Sequence, residues 1–200
     1  MALMTAAEAR VYLRGLTGTA EDTTLDTLIG RVGAALAAFC RFPASATADA
    51  SIESATYTQY LTGDDPRVLF APVRPVVSIT SIHDSPNHTY ATADLVASGD
   101  YTLLKADEGL VELDYDAAHG GWSTGRDNIK LVYVAGFATV PESFKHACGM
   151  QIAHIWKNRD TLGLTSLSIE GVNYAIRTLG LLPSARETVA IHRLTGGVIG

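Results

Sequence analysis

Two hundred residues suit one domain with an elaboration, or two small ones, and a 47% hydrophobic composition excludes a compositionally disordered chain. A net charge of −6 with an isoelectric point of about 5.4 argues against a protein that wraps phosphate backbones, which needs clustered Lys and Arg. Two cysteines, Cys40 and Cys148, are too few for a disulfide framework or a zinc site and read as buried thiols in a reducing compartment.

No stretch approaches the roughly 18 consecutive apolar residues of a membrane span, and the opening MALMTAAEARVYLRG has no signal-peptide core. Thr5-Ala-Ala-Glu8 is a capping box for a short helix to about Arg14. Gly15 and Gly18 break it. Thr23 or Thr24 can cap a second helix, whose Leu25, Leu28, Ile29, Val32, Leu36 and Phe39 recur at helical spacing until Pro43 stops it.

The period then changes. Residues 44–53 are small and polar, hence a loop. Residues 56–61 alternate as a strand, Gly63 to Pro66 turn, and Arg67 to Phe70 form a short strand. Val76 to His83 read as a strand with Val77, Ile79 and Ser81 on one face. Tyr101 to Leu104 and Leu110 to Leu113 flank a turn, and a Gly-rich loop over 117–128 leads to a strand from Ile129 to Ala135. The middle is therefore a β module of about five to seven strands.

Pro141 suits the first position of a third helix, with Phe144, Ala147, Cys148, Gln151, Ile152 and Ile155 as its inner stripe. Ser166 to Arg177 alternates like an extended arm interrupted by Gly171, and Pro183 opens a last helical segment to about Leu194. The expected class is α+β: a small bundle of three main helices, an inserted antiparallel β module, and a C-terminal extended arm with a short helix. The boundaries read 1–42 for the first helices, 54–135 for the β module, 140–160 for the third helix and 161–200 for a docking arm and tail.

Little of this looks catalytic. Gly121-Trp-Ser123-Thr-Gly125 matches G-x-S-x-G, but a nucleophile elbow needs a buried strand before the Ser and a helix after it. Trp122 reads instead as folding over the core, although Trp122 and Tyr115 could also form a sugar platform. Asp114, Asp116 and His119 could hold a divalent ion, but the rest of a calcium loop is missing. His146 and His154 stand eight apart with no HExxH, and no GxxxxGK[ST] or dinucleotide fingerprint occurs. No catalytic residue, cofactor or metal is expected.

The order of parts resembles the head–tail connector (adaptor) proteins of long-tailed bacteriophages and gene transfer agents. The resemblance runs through Leu3-Met4-Thr5 to Leu13-Arg14, then Glu21-Asp22 to Leu28-Ile29, then Pro75-Val76-Val77-Ser78-Ile79-Thr80-Ser81-Ile82. It continues in Tyr133-Val134-Ala135-Gly136-Phe137 with Val140-Pro141 and Lys145-His146-Ala147, and closes on His154-Ile155-Trp156-Lys157-Asn158-Arg159. It covers roughly 3–160 in order and 166–194 more loosely. The uncharged linker Gly15–Ala20 and the long middle depart from the family pattern.

The resemblance implies a structural virion protein at the neck of the particle, made in the host cytoplasm. Copies would form a ring, a dodecamer, under the portal protein. The ring would extend the DNA channel without sequence-specific binding and seat the next neck, stopper or tail protein. His154, Trp156, Arg159, Tyr174, Arg177, Val198 and Ile199 are the expected interface residues. The rivals are another neck or tail component, such as a stopper or tail terminator, and a small hydrolase using Ser123.

Overall fold

The computed structural model describes residues 3–44, 48–64, 67–159 and 180–194, with the backbone alone of 166–169 and 172–175. Helices α1 (Ala6–Arg10) and α2 (Asp22–Phe39) come first. Six strands follow: β1 (Ala55–Gly63), β2 (Val68–Phe70), β3 (Val76–Asp84), β4 (Tyr101–Lys105), β5 (Leu110–Leu113) and β6 (Gly125–Ala135). The chain returns to helix in α3 (Glu142–Lys157), makes a hairpin of β7 (Ser166–Ile169) and β8 (Val172–Ala175), and ends in α4 (Pro183–Val189) with a 3-10 turn over Ala190–His192. The fold is α+β, with antiparallel sheets set into a helical chain. Two compact units result, one of Met1–Ser51 with Val140–Arg193, the other containing Ile52–Thr139.

In the helical unit the capping box forms as the sequence requires. The Glu8 N–H donates to Thr5 Oγ1 at 3.2 Å, and the Thr5 N–H donates to Glu8 Oε2 at 2.7 Å. The helix ends at Arg10, earlier than the expected Arg14, and the chain tightens into turns from the Tyr12 N–H to the Ala9 carbonyl and from the Leu13 N–H to the Arg10 carbonyl. Arg10 ion-pairs with Asp22 and donates to the Gly18 carbonyl at 2.9 Å, tying the glycine linker to the start of α2.

The expected Thr23 or Thr24 cap is not used. Helix α2 starts at Asp22 behind Glu21, which makes no side-chain cap. An acidic residue in the first turn offsets the positive end of the helix dipole instead. Leu25, Ile29, Val32, Leu36 and Ala37 are its buried stripe. Its C-terminus is a Schellman motif: the Phe42 N–H donates to the Ala37 carbonyl and the Arg41 N–H to the Ala38 carbonyl, both at 3.0 Å. Arg41 holds the left-handed position, φ 66°, where glycine is usual. Helix α3 packs on α1, α2 and α4, burying Phe144, Ala147, Cys148, Gly149, Gln151 and Ile152. Gln151 is a buried polar member of that stripe, and its Oε1 accepts the Leu182 N–H at 2.8 Å. Ile155, expected inside, is only half-buried.

In the second unit, β6 is the middle strand of the order β1-β6-β3, and β5 is the middle of β2-β5-β4. Central β6 turns one face fully inward, burying Ile129, Leu131, Tyr133 and Ala135, while Lys130, Val132 and Val134 on the other face are half-buried. It begins at Gly125, so the expected loop over 117–128 ends four residues sooner. Strand β3 carries register shifts between Val76 and Ser78 and between Ile79 and Ser81. Each shift turns the following side chains over. Val77 is therefore exposed, and Val76, Ile82 and Asp84 face inward, which corrects the expected Val77-Ile79-Ser81 face.

The two ends of this unit meet. The Phe137 N–H donates to the Ile52 carbonyl at 2.9 Å and the Ser54 N–H to the Phe137 carbonyl at 3.2 Å. Gly136, at φ 111°, fits beneath this junction, since a Cβ there would stand 2.5 Å from the Glu53 carbonyl oxygen.

Candidate functional site

The C-terminal turn of α3 carries three of the expected interface residues, and helix geometry sorts them into two pairs. Trp156 and Arg159, three apart, lie together, with the Arg159 guanidinium 4.8 Å from the Trp156 ring centroid. His154 pairs with Asn158, four apart: Asn158 Nδ2 donates to the His154 carbonyl at 2.8 Å and lies 3.3 Å from His154 Nδ1. Asn158 thus closes the helix end with its side chain and its own N–H. Trp156 and His154 are half-buried and Arg159 is exposed. The other expected interface residues are not placed: Tyr174 falls in β8, whose side chains are not described, and Arg177, Val198 and Ile199 lie outside the described residues.

The G-x-S-x-G match sits in a different setting from a nucleophile elbow. Asp84, its side chain wholly buried, accepts from His119 Nε2 at 2.8 Å and from the Ser123 backbone N–H at 2.7 Å. Asn128 Nδ2 donates to the Ser123 carbonyl at 2.6 Å, and the Gly63 N–H donates to Asn128 Oδ1 at 3.0 Å. An acid, an imidazole and a serine are therefore neighbours. However, Asp84 holds Ser123 by its backbone, and no hydrogen bond joins the Ser123 hydroxyl to His119 among the described residues. A strand, β6, follows the motif instead of a helix. The arrangement is a clamp on a loop: it pins residues 119–123 over the β unit and buries Trp122. Burial also removes Trp122 from any sugar platform and leaves Tyr115, 94% exposed, with the Arg67 guanidinium 5.3 Å from its ring centroid.

His119 is thus paired with Asp84 and not with Asp114 or Asp116. Asp114 instead accepts from the Thr102 hydroxyl at 2.9 Å. Among the described residues no three His, Cys, Asp or Glu side chains group so as to hold a metal ion. His146 Nδ1 meets the Tyr12 hydroxyl at 3.2 Å. Both cysteines are buried, and desolvation pushes the thiols up, Cys40 to about 11 and Cys148 to about 12. Such thiols are inert rather than nucleophilic.

Sequence reasoning missed a cationic cluster. The guanidiniums of Arg186 and Arg193 lie 5.9 and 5.4 Å from the Phe39 ring centroid, at the end of α2. No local pattern announced it, because Arg193 lies past the end of α4 in extended backbone and Phe39 belongs to a distant helix. Among the described residues no helix is long and apolar enough to cross a membrane.

No protein-family model matches this chain, and no curated protein matches it. Among solved structures, it is similar to a chain from the neck of an empty gene transfer agent (GTA) particle computed with C6 symmetry. The match has a TM-score of 0.57 at 17% identity and covers 99% of this chain and 93% of that one. The fold is therefore shared, over essentially the whole chain, with a protein of a gene transfer agent neck.

Proposed function

We propose that this protein is a structural component of a virion neck, a head–tail adaptor that acts without catalysis. The observation that carries the reading is the end-to-end likeness to a chain of a gene transfer agent neck. The chemistry of the chain supports it: the Asp84–His119–Ser123 grouping is spent on holding a loop, and the thiols are buried and protonated. In this reading copies close into a ring beneath the portal by a head-to-tail contact between unlike faces. The C6 symmetry of the neighbouring structure is compatible with six copies or with the twelve expected for this ring.

An acidic chain would form a channel wall that repels phosphate, so DNA passes without sticking. Trp156 with Arg159, and His154 with Asn158, are proposed to face a neighbouring subunit or the portal, and the segment from 161 onward is proposed to dock on one of them. The next neck, stopper or tail protein would seat on the ring. The test is imaging of purified particles labelled on this protein. Density at the portal vertex is the expected result, and label found only elsewhere, or absent, overturns the assignment.

A further inference from the structure

The charge of this chain is divided unevenly. Residues 52–139 hold 12 of the 21 Asp and Glu but only 5 of the 15 Lys and Arg. The β unit is therefore net negative by 7 (5 minus 12) and the rest of the chain net positive by 1 (10 minus 9). The helical unit displays a cationic place beside apolar side chains, and the β unit an acidic one.

In the helical unit that place is the end of α2. Arg186 and Arg193 flank Phe39, and Arg41 follows it by two residues. All three arginines are exposed, and none forms an ion pair among the described residues. Ile191, 80% exposed, stands between Arg186 and Arg193 in sequence. Arg41 keeps a left-handed backbone that glycine would adopt without strain.

In the β unit the place is the turn after β5. Tyr115 is 94% exposed and lies between Asp114 and Asp116 in sequence, and the Asp114 N–H donates to the Asp100 carbonyl at 2.9 Å, which brings a third carboxylate residue alongside. One face of the ring lies near the Arg67 guanidinium, 5.3 Å from its centroid, so a partner meets the other face and the flanking carboxylates. Tyrosine and arginine are the residues that most often anchor protein interfaces.

We infer that the Phe39-Arg41-Arg186-Arg193 surface of one copy docks the Asp114-Tyr115-Asp116 turn of a second copy of this chain. The inference rests on the ring reading above and supplies its two unlike faces. The guanidiniums meet the carboxylates, and Tyr115 lies against Phe39, Ile191 and the arginine planes. Charge complementarity selects the occupant: an acidic surface exists on the same chain, so a copy satisfies the patch and a closed ring satisfies every patch.

The test uses the full-length chain in analytical ultracentrifugation at low and high salt. Wild type self-associates, more weakly as salt rises. Arg186→Glu with Arg193→Glu, Asp114→Arg with Asp116→Arg, and Tyr115→Ala each weaken association at least about tenfold. Combining both charge reversals in one chain restores it. Arg41→Gly weakens association while raising thermal stability.

Unchanged association in the Arg186/Arg193 or Tyr115 variants overturns the inference, as does a combined reversal no better than its parts or a wild type that stays monomeric to its solubility limit. Binding of a short labelled duplex DNA, lost in the Arg186/Arg193 variant while self-association persists, also overturns it and assigns the patch to phosphate. Wild-type protein found at the particle neck alongside an unaffected variant sinks this contact alone. Its absence from the neck sinks the functional reading but leaves the charge-swap result standing.

Discussion

The ring of Tyr12 rests on the backbone of Gly149, so closely that a Cβ at Gly149 would lie 2.5 Å from two of the ring carbons. The Tyr12 hydroxyl then reaches His146, one turn earlier on the same helix. Gly to Ala inside a helix ordinarily stabilises by about 1 kcal/mol. Here the sign reverses. Gly149→Ala should destabilise by about 1–3 kcal/mol through overpacking, read as a lower urea midpoint. Adding Tyr12→Ala should recover part of the loss, and additive losses would refute the contact.

Gly136 combines two constraints, a φ of 111° and a carbonyl 2.5 Å from where its Cβ would be. Gly136→Ala should therefore cost more than strain alone, about 2–4 kcal/mol. Calorimetry should show the fall in melting temperature, and amide exchange should speed up at Ser54 and Phe137, which pair across this junction.

Asp84→Ala leaves the Ser123 N–H and His119 without their acceptor in a buried setting. A loss of about 2–3 kcal/mol is expected, with Trp122 fluorescence shifted to the red as the loop lifts. Ser123→Ala keeps the backbone bond and should leave both readouts unchanged. That pair of results separates a clamp from a hydrolytic serine.

Alkaline pH should weaken the fold. The folded thiols of Cys40 and Cys148 titrate near 11 and 12, above the ordinary 9.0. Between pH 9 and 11 the unfolded chain has lost these protons while the native chain still holds them, so stability falls as pH rises. Below pH 9 both states keep the proton and the contribution is fully present. Cys148→Ala should flatten the slope. At pH 8 native thiolate is about one part in a thousand or less, so iodoacetamide should label the native protein far more slowly than the unfolded one.

Trp156→Ala should leave the isolated chain within about 1 kcal/mol of wild type, since the ring is only half-buried. If the proposed interface is correct, incorporation into particles should drop sharply, because truncating a central aromatic typically costs about 2 kcal/mol or more of binding. Normal incorporation would return Trp156 to ordinary surface packing.

The helices were legible because their signals are local. The Thr5–Glu8 box, the Leu25-Ile29-Val32-Leu36 stripe and Pro183 each act within a turn or two. The inward face of β3 was not, because its register shifts are set by pairing with β6, some fifty residues on. The hairpin of β7 and β8 was read as a single arm because alternation alone does not reveal a reversal. Of the site, the α3 terminus was visible as a run of residues, but its division into Trp156–Arg159 and His154–Asn158 pairs follows from three-dimensional spacing. The Asp84–His119 bond and the Phe39 cation cluster join distant segments, and no local pattern announces them.

The meeting of Ile52 and Phe137 has a bearing on how such a chain can change over time. A segment whose entrance and exit are hydrogen-bonded neighbours behaves as a cassette behind a clasp. The entropy of closing the helical unit is then set by the small gap at the clasp, and grows only slowly with the length of what is threaded through it. Strands can be lengthened, traded or removed beyond that point while the bundle still folds. A lineage can thus retool the β unit without renegotiating the packing of the helices.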